Sequence, residues 1–151
     1  MAGLKDRLRA DLTEAMKTRN ELRTRTLRMA LASVTNEEVA GNTARELSDD
    51  DVLKLLARET RRRREAADAF DAAGRADQAA AERAEEQVLA SYLPAQLGDA
   101  ELAAIVADVI SETGASGMAA MGQVMKAVTP RVAGRAEGGR VAAEVRRALA
   151  G

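Results

Sequence analysis

The residues of this chain best suited to chemistry lie near its C-terminus. Lys126, Arg131, Arg135 and Arg140 follow one another at short spacing, with Gly122 and Gly134 among them. A cationic head near a glycine suits an anion, because a residue without a side chain lets a ligand come close to the backbone. The free N–H groups of a helix N-terminus add further donors, and phosphate is the anion such donors hold. Charge is segregated in the same region. Residues 115–151 carry six bases (Lys126, Arg131, Arg135, Arg140, Arg146, Arg147) and two acids (Glu137, Glu144), whereas the helix expected just before them has four acids and no base.

A second candidate is the run Arg61-Arg62-Arg63-Arg64. Successive helical residues step around the axis by about 100°, so this run visits every face and at least one arginine must meet a neighbouring helix. Its aliphatic stem would lie in the contact while its head finds an acid. Glu59, Glu82, Glu85 and Glu86 are the expected partners, and a solvated, salt-bridged face is the expected result rather than a phosphate site. The arginines at 23, 25 and 28 are likewise expected on a solvated face. Asp49-Asp50-Asp51 fits the first turn of a helix, where the dipole favours acids, better than a metal site needing more oxygen ligands. No metal and no cofactor is expected.

Cysteine and histidine are absent from all 151 residues. That excludes disulfides, Cys/His zinc sites, cysteine nucleophiles and histidine acid–base chemistry. The hydroxyls of Ser91, Ser111 and Ser116 have no evident activating base, and no Gly-x-x-x-x-Gly-Lys-Ser/Thr phosphate loop occurs. Catalysis by this chain alone is not expected. No apolar run is long enough to span a membrane, and the charged start lacks the apolar core of a signal peptide, so a cytoplasmic location is expected.

The elements that position these residues read as helices. Aromatics are 1% of the chain and charged residues 31%, so the core must come from Leu, Val, Met and Ala beneath salt-bridged surfaces. Leu4, Leu8, Leu12 and Met16 form one stripe, and Leu27, Ala30, Leu31 and Val34 a second that ends before Gly41. Ser48 is expected to cap a long helix over residues 49–73, with Leu47 stapled to Val52 and a stripe through Val52, Leu56, Thr60, Arg63, Ala67 and Phe70. After Gly74, a helix over residues 77–93 turns Ala80, Ala81, Ala84, Val88 and Tyr92 inward. The many alanines on either side of Gly74 suggest a close αα-hairpin. Pro94 then breaks the chain, and Tyr92, Leu93 and Leu97 are expected to close the joint between residues 1–94 and 95–151. Beyond it, Gly98 and Glu101 open a helix whose stripe is Leu102, Ile105, Val106, Val109 and Ile110. Ser116 is expected to cap a next helix with Met118, Met121, Val124, Met125 and Val128 inward and Gly122 at mid-helix. That helix is expected to break at Pro130. A loop over 134–139 leads to a last helix holding Val141, Val145 and Leu149.

Gly122-Gln123-Val124-Met125-Lys126, then Gly134-Arg135-Ala136, then a helix with Val141 inward resembles the C-terminal tail domain of GatB, the tRNA-contacting subunit of glutamine-dependent tRNA amidotransferases. Leu4-Lys5-Asp6-Arg7-Leu8, Ala73-Gly74-Arg75 and Tyr92-Leu93-Pro94 extend the likeness over the whole chain, to the stand-alone YqeY branch of the GatB/YqeY family. The resemblance implies an all-α fold: a four-helix N-terminal lobe with a long hairpin, joined to a three-helix C-terminal lobe. It implies tRNA as partner, with a tRNA amidotransferase (a carbon–nitrogen ligase using glutamine as donor) or an aminoacyl-tRNA synthetase nearby. On that reading Gly122, Lys126, Arg131, Gly134, Arg135 and Arg140 contact tRNA, with Arg135 and Arg140 at the surface. Aromatics for base stacking are missing from this lobe, so contact would be with phosphates. A helical protein–protein adaptor is the alternative. Glu137 stands where YqeY-like proteins often have Asp, a better helix cap.

Overall fold

A computed structural model describes residues 3–151, and among them there are seven α-helices and no strand. The all-α expectation holds. α1 (Leu4–Lys17), α2 (Glu21–Val39), α3 (Asp49–Ala72) and α4 (Ala76–Ala90) belong to one compact unit that ends at Leu93. α5 (Asp99–Thr113), a turn of 3₁₀ helix (Met118–Ala120), α6 (Met121–Val132) and α7 (Gly138–Ala150) belong to a second that starts at Pro94. Each has its own core. Leu8, Leu27, Val34, Val52, Leu56 and Leu89 are fully buried in the first, and Val106, Val124, Val128 and Val145 in the second. Burying each such side chain stabilises its lobe by about 1.5–3 kcal/mol.

Local signals set most helix ends. The Ser48 hydroxyl accepts the Asp51 N–H at 3.2 Å, and Leu47 and Val52 share the first core, as expected of a capped and stapled N-terminus. α3 closes in a Schellman turn: Gly74 at φ +75 donates to the Asp71 carbonyl at 3.0 Å, and Arg75 to the Phe70 carbonyl at 2.8 Å. A side chain at Gly74 would be strained in that conformation. In the second lobe the Gly98 N–H donates to the Glu101 carboxylate at 3.4 Å, the reciprocal half of a capping box.

The inward faces depart from the expectation in several places. α4 turns Ala79 and Leu89 inward, not Ala80 and Ala81, and it ends at Ala90, before Tyr92. An alanine-rich helix has almost no apolar contrast, so its facing is set by Glu85 and Glu86, which pair with Arg63 and Arg64 of α3. Most alanines around Gly74 are exposed. They serve as helix formers more than as close-packing surfaces. In α1, Ala15 takes the buried place expected of Met16, which is exposed. Tyr92 and Leu93 pack into the first core and Leu97 into the second.

α3 and α4 make the most extensive helix–helix contact of the fold. Arg63 is the sole buried charged residue among those described, its side chain 8% exposed. Its Nη1 donates to the Glu59 carboxylate and carbonyl at 3.0 and 3.2 Å, and its Nε to Glu85 of α4 at 3.2 Å. The other oxygen of Glu85 accepts Arg25 of α2 at 3.2 Å, which ties three helices through one carboxylate. Of the α2 arginines Arg25 and Arg28 are exposed, as expected of a solvated face, yet each is bonded: Arg28 donates to the Met16 sulfur at 3.3 Å, and half-buried Arg23 to the Tyr92 hydroxyl at 3.2 Å. The Tyr92 hydroxyl in turn donates to Asp11 of α1. Burial, and then that hydrogen bond, push its pKa above the ordinary value.

Removing the Arg63 head leaves two carboxylates with less than their full complement of donors. Arg63→Ala is expected to destabilise the first lobe by about 3 kcal/mol, and Arg61→Ala, exposed beside it, by less than about 0.5 kcal/mol. Urea unfolding of both variants checks this.

A second clamp is pH-dependent. Lys5 Nζ donates to both oxygens of Glu38 at 2.8 Å, and the Leu47 N–H adds a third bond at 3.0 Å. The hydrogen bond from Lys5 first, and that from Leu47 second, hold this carboxyl below its ordinary value of 4.5. Its stabilisation is fully present above that value and is lost as pH falls through the lowered one. Glu38→Gln is expected to flatten the acid limb of stability below about pH 4.5 and leave its shape near neutrality unchanged, as read from unfolding midpoints across pH.

Candidate functional site

The cations expected to meet phosphate fall into two groups. The first surrounds Leu97, at the entry to α5. The Leu97 N–H donates to the Arg135 carbonyl at 2.7 Å, and Gln96 Nε2 to the Gly134 carbonyl at 3.2 Å. Arg140 Nη2 reaches the Leu97 carbonyl at 3.0 Å and Asp99 at 2.9 Å. Arg135 folds its head back onto the Arg131 carbonyl at 2.9 Å, and Arg131 pairs with Glu112 of α5. Arg131, Arg135 and Arg140 are thus brought together by the loop over 133–137.

Arg135 and Arg140 are half-buried, not surface residues. The loop explains it. Ala133 and Gly134 both have positive φ, +33 and +80, and the Arg135 N–H donates to the Val132 carbonyl at 2.7 Å, so the chain turns sharply against the α5 entry. Gly134 suits that backbone angle, which a residue with a side chain would adopt only under strain.

The second group is Gly122 and Lys126, both exposed on one flank of α6. Four sequence expectations fail here. Ser116 caps nothing, because the 3₁₀ turn intervenes with Gly117 at its start, and Met118 is exposed. Gly122 is therefore the second residue of α6, not a mid-helix glycine. The helix runs through Pro130 to Val132. A proline removes only the bond to the carbonyl four residues earlier, here that of exposed Lys126, and in a last turn the loss is small. No atom lies within 4 Å of the place a Gly122 side chain would occupy, so nothing in the fold itself comes close there. Lys126 lies five residues before Arg131, about 140° around the helix, so the two groups occupy different faces.

Lys126 and Arg146 make no ion pair among the described residues, whereas Arg147 holds the Glu144 carboxyl below its usual range. Arg146, exposed on α7, is a cation that sequence reasoning counted but did not place in the site. Glu137 stands at the start of α7 without a side-chain cap bond, in keeping with its being a poorer cap than Asp. Among the described residues no three acids gather where a metal ion could be held.

The profile of the Yqey-like protein family matches residues 5–149, nearly the whole chain. The chain belongs to that family. No curated protein matches it. No single helix among the described residues is long and apolar enough to cross a membrane.

Arg140 bridges α7 to the entry of α5 as a structural brace. Arg140→Ala is expected to lower the stability of the second lobe by about 1–2 kcal/mol. Arg146→Ala is expected to leave it unchanged, and thermal unfolding followed by circular dichroism distinguishes them.

Proposed function

We propose that the second lobe of this Yqey-like protein is a tRNA-binding module that contacts phosphates, in the service of glutamine-dependent tRNA amidation or aminoacyl-tRNA synthesis. The observation that carries this reading is the α6 flank. Lys126 is exposed and without an ion pair, and one turn before it Gly122 leaves open space above the backbone. A ligand backbone can approach there without meeting a side chain, with a cation beside it. Arg131, Arg135 and Arg140 offer further charge at the loop. The carboxylate facing Arg140, Asp99, is 99% exposed, so water or phosphate can take its place at little cost. The second lobe has no aromatic residue, which favours contact with the folded backbone over base stacking.

Binding of intact tRNA is expected to weaken with salt. For two to four contacts log K should fall against log salt with a slope of roughly −2 to −3.5, at about 0.9 per phosphate. Gly122→Ala separates this reading from a structural one: it should leave the lobe equally stable or up to about 1 kcal/mol more stable, yet weaken tRNA binding. Lys126→Glu should weaken binding and reduce the slope by about one. Filter binding across a salt series, with unfolding curves beside it, makes the test. Wild-type protein that binds no tRNA, or binds it without salt dependence, favours a protein–protein adaptor instead.

A further inference from the structure

The outer face of α3 carries a row of cations outside the second-lobe surface. Lys54, Arg58 and Arg61 fall within about 60° of arc, with Arg62 on the flank, and cover about 10 Å along the axis. All four are exposed, Arg62 to 66% of its side chain. Acids stand at both ends of the row, exposed Asp50 one turn before Lys54 and Glu65, 70% exposed, one turn after Arg61, while those alongside it are committed elsewhere or loosely held. Glu59, 14% exposed, divides its oxygens between Arg62 and buried Arg63, and Glu85 and Glu86 face inward to Arg63 and Arg64. The remaining pairs are long: Arg58 lies 3.8 Å from Glu37 and Arg61 3.9 Å from Glu65, against about 2.7–2.9 Å for a strong charge-assisted bond. Lys54 has no ion pair among the described residues.

A concavity sits at the start of this row. Arg45, Lys54 and Arg58 line it together with Glu37, Asp51, Leu47 and Leu55. Asp51 meets Arg45 at 3.5 Å, again a loose and exposed pair. Three cations against two acids around one depression leave a net positive charge where a single tetrahedral anion can seat.

We propose that this face of α3 is a second contact for the phosphate backbone of folded RNA, with one phosphate in the depression and its neighbours along the row. Guanidinium forks suit phosphate oxygens two at a time. The exposed large hydrophobic residues, Met16, Met29, Val39 and Met118, all lie outside α3, so its outer face is not built to enter a lipid surface. No aromatic residue lies in the row, so it would follow the backbone without reading bases. The proposal rests on the reading of this chain as an RNA-binding protein, but not on the residues of the second lobe.

The test uses the full chain and intact tRNA at about 0.1 M salt and across a salt series. Lys54→Gln/Arg58→Gln/Arg61→Gln removes the row without adding repulsion, and all three side chains are exposed, so helicity and unfolding midpoint should stay near wild type. Affinity is expected to fall roughly tenfold or more; the α3 contacts steepen the wild-type slope beyond what the second lobe gives alone, by about one per contact, and the Gln variant should return it to roughly −2 to −3.5. Lys54→Glu/Arg58→Glu/Arg61→Glu should reduce binding further. If the folded Gln variant keeps wild-type affinity and slope while Lys126→Glu loses binding, the α3 contact is overturned and the second-lobe reading stands. If the Gln variant loses binding while Lys126→Glu does not, the α3 contact stands and the second-lobe site fails. Wild-type protein that binds no tRNA overturns both.

Discussion

Arg63 is the residue on which the first lobe turns. A guanidinium taken out of water is tolerated only if its donors are matched, and here Glu59 and Glu85 match them from two helices. That requirement fixes the rotation of α4, which has too little apolar contrast to fix its own. Glu85 then recruits Arg25 from α2, so the hairpin is attached to the rest of the lobe through the same carboxylate. The network also has an outward consequence. By drawing Glu85 and Glu86 into the α3–α4 contact, it leaves Arg58 and Arg61 on the far side of α3 with only long, exposed pairs. An internal packing constraint thereby shapes the charge of an external face.

The second lobe reaches a similar partition by a different route. Its core is plain valine and leucine, and its charges sit at the edges. Arg140 and the backbone of Arg135 meet at Leu97, so the loop over 133–137 and the entry to α5 stabilise one another. Cations near a helix entry normally suggest an anion site, but here one guanidinium is used on a carbonyl and a carboxylate of the protein itself. Lys126 and Arg146 are not used in this way. The distinction between a brace and a free cation lies in the bonds each one makes, not in residue type.

Much of the fold was legible because its signals are local. The cap at Ser48, the turn at Gly74 and the stripe from Leu102 to Ile110 each depend on residues within one or two turns, and each appears as read. The facing of α4 was misread because alanine gives almost no periodic signal, and the deciding partner, Arg63, is more than twenty residues away. Pro130 was read as a break, although a proline in a last turn removes a bond that solvent can replace. The candidate site was legible as a set of residue types but not as a set of roles. Nothing in the order of residues from Arg131 to Arg140 says that Arg140 grips Leu97, because that contact depends on how two helix ends meet. The row on α3 was visible as i, i+4, i+7 spacing, but it gains meaning only once Glu59 and Glu85 are known to face inward.

A chain with a formal net charge of −1 gives no overall attraction for nucleic acid. Any affinity for phosphate has to come from separation of charge over distances comparable to the screening length, about 8–10 Å in ordinary salt. In the first lobe Glu59 and Glu85 are held against Arg63 inside the fold, where little solvent screens them. Lys54 there and Lys126 in the second lobe project outward without an ion pair, and Arg58 and Arg61 have only long, exposed ones, so a polyanion could reach these cations without displacing a strong internal bond. The low aromatic content follows the same logic, since a surface that holds a backbone by charge needs no platform for bases. On the proposed reading the attraction would be weak per contact, additive over several and steeply dependent on salt, and affinity for a folded RNA would rise with the number of phosphates that its shape presents at once.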